Sequence, residues 1–143
     1  MKKIVLIFIS TILVVTGLYF AFKGYSGYSY GRFTKQQVGL LNEYQYISLY
    51  NNLAPDLREK FEDAGDFSLK FSSNITIYEN TINKVESEGS LGKPATYRYT
   101  LVRTDDPLKG YTIAVTTTNN PFSPKMKDIV FQEEVFDQIP TTN

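Results

Sequence analysis

Large apolar side chains fill the N-terminal part of the chain, without a charged interruption, from Ile4 to Phe22. In an α-helix with a rise of about 1.5 Å per residue, this run reaches about 28 Å, close to the thickness of the hydrocarbon core of a bilayer. Lys2 and Lys3 precede the run, and Lys23 follows it. We therefore predict a single-pass membrane anchor over residues 1–23. Its lipid-facing side chains include Ile4, Phe8, Leu13, Leu18 and Phe22.

A cleaved signal peptide is the alternative interpretation of the same segment. Lys2 and Lys3 would then form its basic start, and residues 15–17 would offer the small side chains of a cleavage site. The apolar run continues past that site to Phe22, which favours an uncleaved anchor. The charges on its two flanks favour a cytoplasmic N-terminus and a domain outside the cytoplasm of a bacterial cell. If the segment is cleaved, the domain is secreted.

Residues 24–33 are biased in composition, and the stretch 24–31 reads GYSGYSYG. Glycine and serine predict a flexible tether at this point. Tyrosines next to a span are typical of the membrane interface, where the ring meets lipid and the hydroxyl meets water. A tyrosine-rich binding strip is the functional alternative. The tyrosines expected at headgroup depth are Tyr19, Tyr25, Tyr28 and Tyr30.

After residue 33 the apolar positions first follow a helical period. Thr34 and Gln37 match a capping box, which predicts that a helix begins here. Pro55 suits the first position of a second helix, and Asp66 suits the cap of a further helical turn. The predicted helices cover about residues 35–51, 55–63 and 66–71.

From residue 75 onward, apolar residues alternate with polar ones, as in strands that bury one face. Turns rich in Gly, Pro, Asn and Asp separate these runs, at residues 89–92, 105–110 and 119–124. Connections of this length join neighbouring strands into antiparallel pairs. The predicted strands lie at about residues 75–85, 95–102, 111–118 and 129–136.

Helices grouped ahead of strands predict the α+β class. We expect a small domain over residues 34–137, in which N-terminal helices pack on a curved four-stranded antiparallel sheet, and a tail over 138–143. The inward face of the last strand is left open. Ile129, Phe131 and Glu133 share one face, and Val130 and Phe136 share the other.

The composition narrows the chemistry of the domain. The chain has no His and no Cys, which excludes an imidazole base, a thiol nucleophile and a disulfide. Its zero net charge combines +4 through Arg32 with −4 in the remainder, which has 11 basic and 15 acidic residues. An acidic body argues against nucleic acid as a partner. We expect no catalytic residues, no cofactor and no metal site.

Five residues remain as candidates for binding a ligand. Tyrosines on the strands and one on the first helix could line a pocket, and a glutamate shares the face of apolar neighbours. The alternative is a tyrosine-rich sheet that packs on the first helix as ordinary core. Asp105 and Asp106 suit either a turn or a hard cation. The candidate ligand-binding residues are Tyr44, Tyr97, Tyr99, Tyr111 and Glu133.

The order of elements, together with the sequence YISLYNNLAPDLREKF over residues 46–61 and a short turn at Asp66 and Phe67, resembles the nuclear transport factor 2-like (cystatin-like) superfamily. It is similar to the extracytoplasmic, membrane-anchored members of bacteria over about residues 34–137. The resemblance implies a curved sheet wrapped around a long helix, with a pocket at the open end of a cone. Enzymatic members usually carry His-Asp or Tyr-Asp pairs there. Since this chain has no His, no catalytic role is carried over.

The sequence therefore predicts a membrane-anchored, extracytoplasmic, non-enzymatic binding or assembly module. Its expected partners are the lipid bilayer and a membrane or cell-envelope protein. The alternative is a small-ligand carrier or sensor with an aromatic-lined pocket. An enzyme that uses only Tyr and carboxylates is disfavoured, because general acid–base catalysis most often recruits His.

Overall fold

The structure is a computed structural model that describes residues 2–74, 80–88, 94–103 and 106–138, with side chains for 3–72, 94–103 and 106–138. In these residues helices come first and antiparallel strands follow, which confirms the α+β class. The helices are α1 (Lys2–Asn42), α2 (Tyr46–Asn51), α3 (Pro55–Arg58) and α4 (Ala64–Asn74). The strands are β1 (Asn80–Glu88), β2 (Thr96–Arg103), β3 (Lys109–Thr117) and β4 (Met126–Val135).

The first part of α1 is an exposed apolar helix. Residues 4–22, here called the apolar segment, project from the domain, and their most apolar window has a mean hydropathy of 2.5 with none of it buried. Within the described residues, α1 is the one helix whose length and composition would suffice to cross a membrane. The predicted apolar helix is confirmed to this extent.

The helix does not stop where the apolar segment ends. Residues 24–33 are helical as well, so the prediction of a flexible tether is wrong. Tyr30, which we expected at headgroup depth, is buried in the domain. The reason is a stripe at helical spacing that packs on the sheet and supports this part of α1. Its buried residues are Ser26, Tyr30, Thr34, Gln37, Val38 and Leu41.

Thr34 lies inside α1 and not at its start. Its hydroxyl donates a hydrogen bond to the carbonyl oxygen of Tyr30 at 2.9 Å, one turn earlier in the same helix. Because the helix already runs through this point, there is no helix N-terminus for Thr34 to cap. Gln37 does not reach back to cap either, since its side-chain oxygen accepts a hydrogen bond from Asn52 at 2.9 Å. The predicted capping box is therefore wrong.

The C-terminal end of α1 is a left-handed turn at Tyr44, whose φ angle is 57°. The backbone N–H of Gln45 donates to the carbonyl of Leu40 at 2.8 Å, and that of Tyr44 to Leu41 at 3.1 Å. This pair of hydrogen bonds is a Schellman motif, which usually contains glycine at the position of Tyr44. The helix predicted over residues 35–51 is thus divided into the end of α1 and the short α2.

The next two helices differ from the prediction in their limits. Pro55 occupies the first turn of α3 as predicted, but α3 ends at Arg58. The cap of α4 is Asp63 and not Asp66, because its carboxylate oxygen Oδ1 accepts the N–H groups of Gly65 at 2.7 Å and Asp66 at 2.8 Å. This early cap lengthens the predicted turn into the helix α4.

Three antiparallel strands, in the order β2, β3, β4, form the part of the sheet that packs against the helices. The backbone of β1 pairs with the outer edge of β2. The predicted curvature of the sheet is wrong, because the three strands β2, β3 and β4 are not curled into a cone. The β2–β3 register has no break, and the β3–β4 register shifts only near its end, between Thr116 and Thr117. Strong curvature needs bulges or glycine kinks inside the strands.

Some predictions fall on residues outside the described parts of the chain. They are the start of the first strand at 75–79, the turn at 89–92, Asp105, and the tail beyond residue 138.

The pairing of the strands shows which face of β4 points inward. Residues directly opposite each other share a face, so Tyr99, Ile113 and Phe131 lie in one row across the sheet. Ile129 and Phe131 are partly buried against the core, whereas Val130 is exposed. The face that carries Ile129 and Phe131 is therefore the inner one.

An aromatic cluster fastens α4 to this inner face. The ring of the fully buried Phe67 lies 5.0 Å from that of Phe61 and 4.3 Å from that of Phe71, between centroids. Phe71 in turn meets the edge of Phe131 in β4 at 5.4 Å. Aromatic pairs at such distances add stability beyond the area they bury. Helices and sheet therefore enclose one continuous core.

Candidate functional site

Tyr97 of β2 packs on α1 beside Gly27 and Gly31. Its hydroxyl donates a hydrogen bond to the carbonyl of Gly27 at 3.0 Å. Its ring lies over Gly31, where a Cβ atom would already be in contact with the ring at 3.4 Å. Gly27 and Gly31 are four residues apart and hence on one face of the helix. The missing side chain of Gly31 allows the ring to approach closely, whereas a Cβ atom at Gly27 would meet no atom within 4 Å. The biased segment is therefore a packing surface for the sheet.

Tyr99 anchors α1 in the same manner, one turn further along. Its side chain and that of Thr34 are fully buried, and their hydroxyl groups are hydrogen-bonded to each other. Thr34 has a single hydroxyl hydrogen, which it donates to the carbonyl of Tyr30, so the hydrogen between the two hydroxyls comes from Tyr99.

The electrostatics of Tyr99 fit a structural role. Burial raises the pKa of the Tyr99 hydroxyl to about 12, nearby Tyr97 adds to the rise, and the hydrogen bond with Thr34 opposes it. Burial also raises the pKa of Tyr97. A general acid or base works best with a pKa near the working pH. Both hydroxyls stay neutral over the physiological range, so their chemistry here is hydrogen bonding.

The other three candidate ligand-binding residues lie elsewhere. Tyr44 is at the left-handed turn after α1 and is 56% exposed. Tyr111 is half-buried on the inner face of β3, directly opposite Glu133 of β4. Glu133 lies on the inner face as well but is exposed to solvent. The structure thus brings Tyr97 and Tyr99 together as core residues and leaves Tyr44 and Glu133 in water.

An exposed aromatic surface lies where α1 enters the domain, and the sequence anticipates its tyrosines but not Phe122. The loop after β3 brings Phe122 beside α1, with its ring 5.4 Å from that of Tyr25 and 6.1 Å from that of Phe22. The Ser29 hydroxyl donates to the carbonyl of Pro121 at 2.5 Å and fixes this loop on the helix. We call the exposed aromatic side chains at this level the aromatic patch. It consists of Tyr19, Phe20, Phe22, Tyr25, Tyr28 and Phe122.

A shallow recess of about 350 Å³ adjoins the aromatic patch, between α1 and the loop. Tyr25, Tyr28 and Arg32 line it on the helix side, and Pro124 lines it on the loop side. The guanidinium of Arg32 lies 3.5 Å from the hydroxyl of Tyr28. The recess therefore offers aromatic faces beside a positive charge, which suits an amphipathic group with an anionic end.

The carboxylate of Asp106 is occupied by its own turn. Asp106, from the predicted Asp-rich turn, accepts the N–H of Leu108 at 3.3 Å and pairs with Lys109 at 3.1 Å. Among all residues that the structure describes, no three Asp or Glu side chains are grouped so that they could hold a metal ion. The turn interpretation of Asp106 is the one that this geometry supports.

Comparison with known proteins adds no relative. The chain matches no protein-family model, no curated protein and no solved structure. The ground for a functional proposal is therefore the geometry of α1, the packed tyrosines and the aromatic patch.

Proposed function

We propose that the chain is a single-pass membrane protein whose small α+β domain acts outside the cytoplasm as a non-enzymatic binding or assembly module. Its partner is a protein in or near the same membrane. The N-terminus is cytoplasmic, as the two lysines before the apolar segment favour. The resemblance to the nuclear transport factor 2-like superfamily stays a prediction.

The observation that carries the proposal is the unbroken course of α1. One helix contains the exposed apolar segment and the buried stripe of the domain, without a hinge between them. A flexible tether would let the domain sample a wide volume above the bilayer. A rigid helix instead holds it at one height, where it meets neighbouring membrane proteins and not distant soluble ones.

The carrier hypothesis has less support. A ligand pocket on the inner sheet face would need space in front of Tyr97 and Tyr99, and α1 fills that space. The recess beside Arg32 is open to solvent, whereas small-molecule sites bury most of the surface of their ligand. We therefore favour a protein partner over a small soluble ligand.

The proposal is tested by purifying the full chain from its native membranes in mild detergent after brief crosslinking. The matched control keeps residues 1–24 and replaces the rest with an unrelated soluble domain. We expect a membrane or envelope protein to be retained by the full chain and not by the control. Identical sets of retained proteins would contradict the proposal.

The anchor itself is tested separately, by washing the same membranes with alkaline carbonate. Mass spectrometry should find the intact N-terminus in the washed membranes. A soluble species that begins near Leu18 would show instead that the apolar segment is a cleaved signal peptide.

A further inference from the structure

The loop between β3 and β4 carries one large apolar side chain that has no place in the core. Phe122 is 73% exposed at the tip of this loop, although Pro121 next to it is buried. The loop is held firmly, because Ser29 of α1 donates a hydrogen bond to the carbonyl of Pro121. The Phe122 ring is thus presented to the outside by a fixed backbone.

The Phe122 ring lies beside the end of the apolar segment of α1, and this height suggests what it contacts. Its ring contacts those of Phe22 and Tyr25, and Phe22 is the last residue of the apolar segment. Tyr25 lies about 5 Å further along the helix axis, at about 1.5 Å per residue. The interfacial layer of a bilayer extends about 5 to 8 Å beyond the hydrocarbon on each side. If the apolar segment spans a bilayer, Phe122 lies within this layer.

The charges around the loop fit the same location. Residues 2–42 contain no Asp or Glu, and Lys23 directly follows Phe22, at the level of the Phe122 ring. Lys125 is the only charged residue of the loop, and its ammonium donates a hydrogen bond to the carbonyl of Asn51 at 3.2 Å, on the side of the domain. Aromatic rings together with Lys and Arg are the residues that proteins place at lipid headgroups. A lipid surface therefore fits this patch by both apolar character and charge.

We propose that the loop over residues 118–125 is a second membrane contact, in which the Phe122 ring inserts into the interfacial layer of the leaflet from which α1 emerges. The domain then rests on the bilayer at two points, α1 and the loop, and its orientation is fixed. This inference rests on the proposed membrane span.

The absence of Trp from the chain makes a direct test practical. Three single-Trp variants of the full chain are reconstituted into vesicles of phosphatidylcholine and phosphatidylglycerol. Brominated lipids, labelled either near the headgroup or deep in the acyl chain, quench tryptophan by contact. Leu13→Trp reports the span, and Phe122→Trp reports the loop. Ile47→Trp is the matched control, since Ile47 is similarly exposed but follows the far end of α1, about 30 Å from Phe22.

We expect loss of Leu13→Trp fluorescence with the deep label, and loss with a blue shift for Phe122→Trp with the shallow label. Ile47→Trp should keep its intensity and its red emission with both labels. The near-ultraviolet circular dichroism of the tyrosines shows that each variant is folded. Since Phe122 is largely exposed, its replacement leaves the core intact.

The experiment distinguishes a failure of the loop contact from a failure of the membrane span. If Leu13→Trp is quenched but Phe122→Trp is not, the loop contact is wrong and the span stands. If Leu13→Trp is not quenched, the span fails and the proposed function fails with it. Equal quenching of Ile47→Trp and Phe122→Trp overturns the fixed orientation. A Phe122→Trp blue shift that depends on protein-to-lipid ratio, without quenching, assigns the patch to a second copy of the chain instead.

Discussion

The hydrogen bond between Thr34 and Tyr99 can be tested as the clamp that joins α1 to the sheet. Thr34→Val keeps the shape of the side chain and its branching at Cβ, but it removes the oxygen to which Tyr99 donates. Because Tyr99 is fully buried, its hydroxyl is then left without a partner. An unsatisfied buried hydroxyl costs about 1 to 3 kcal/mol.

Substitution of the other partner, Tyr99→Phe, is expected to lower the stability by less. Tyr99→Phe removes the donor but leaves the Thr34 hydroxyl bonded to the carbonyl of Tyr30, so the loss is about 0.5 to 1.5 kcal/mol. The double variant has no orphaned group, because both partners are then apolar. Its cost should be smaller than the sum of the single costs by about 1 kcal/mol.

The assay is thermal unfolding of the full chain in detergent micelles, followed by the near-ultraviolet circular dichroism of the tyrosines. For a domain of this size, 1 kcal/mol corresponds to about 4 to 8 °C in Tm. Thr11→Val is the control, since Thr11 donates the same bond to the carbonyl of Ile7 at 2.9 Å but lies in the exposed apolar segment. It should change stability by less than about 0.5 kcal/mol. Strictly additive costs of Thr34→Val and Tyr99→Phe would refute the clamp.

Three further predictions use the same melting assay. Stability should be full below about pH 10, where unfolded tyrosines begin to ionise, and should fall as the pH rises towards the folded pKa of Tyr99, about 12. The loss from this residue reaches about 3 kcal/mol at most, at about 1.4 kcal/mol per pKa unit, and Tyr99→Phe should remove it. Gly110→Ala should cost about 3 kcal/mol or more, because the new Cβ would lie 1.9 Å from the carbonyl oxygen of Leu101. Gly39→Ala, at a helical glycine with no atom near its added Cβ, should instead stabilise by about 0.5 to 1 kcal/mol.

The first two of these predictions have outcomes that would count against them. An alkaline loss of stability that is the same in the Tyr99→Phe variant would mean that other tyrosines or the lysines carry it. A Gly110→Ala variant as stable as the parent would mean that β2 and β3 separate more easily at this end than their register indicates.

The strands were predictable because their signals are local. Period-two alternation and breaker-rich turns placed three strands within about three residues of β2, β3 and β4. The apolar segment was predictable for the same reason, since length and hydropathy are read from one stretch of sequence. The inner face of β4 could not be predicted, because both faces of this strand carry apolar residues. Only the pairing with β3 shows which face points inward.

The helical state of residues 24–33 depends on a distant partner. Glycine-rich sequence is intrinsically poor in helix, at about 1 kcal/mol per glycine, and here the ring of Tyr97 compensates by packing on Gly31. Gly31 was the available signal, but a glycine at this position has meaning only once a ring is known to face it. The turn at Tyr44 gave no signal, because a non-glycine residue occupies the left-handed position.

The tyrosines of β2 had two interpretations, a ligand pocket and an ordinary core, and the structure places them in the core. Tyr97 and Tyr99 were candidates because they alternate along a strand, and the alternation is real. What faces them is α1, which the sequence pattern divides into an anchor and a separate helix that begins at Thr34. Phe122 was overlooked because a single aromatic residue in a loop carries no period.

The unbroken α1 also limits how the chain can vary. Each residue added between Phe22 and Ser26 would turn the domain by about 100° around the helix axis and lift it by about 1.5 Å. The azimuth of the domain is restored only after about seven residues, two turns of the helix, and the loop with Phe122 would then stand about 10 Å higher relative to the apolar segment. Insertions and deletions in related chains should therefore be excluded from this short stretch, while single substitutions there are tolerated.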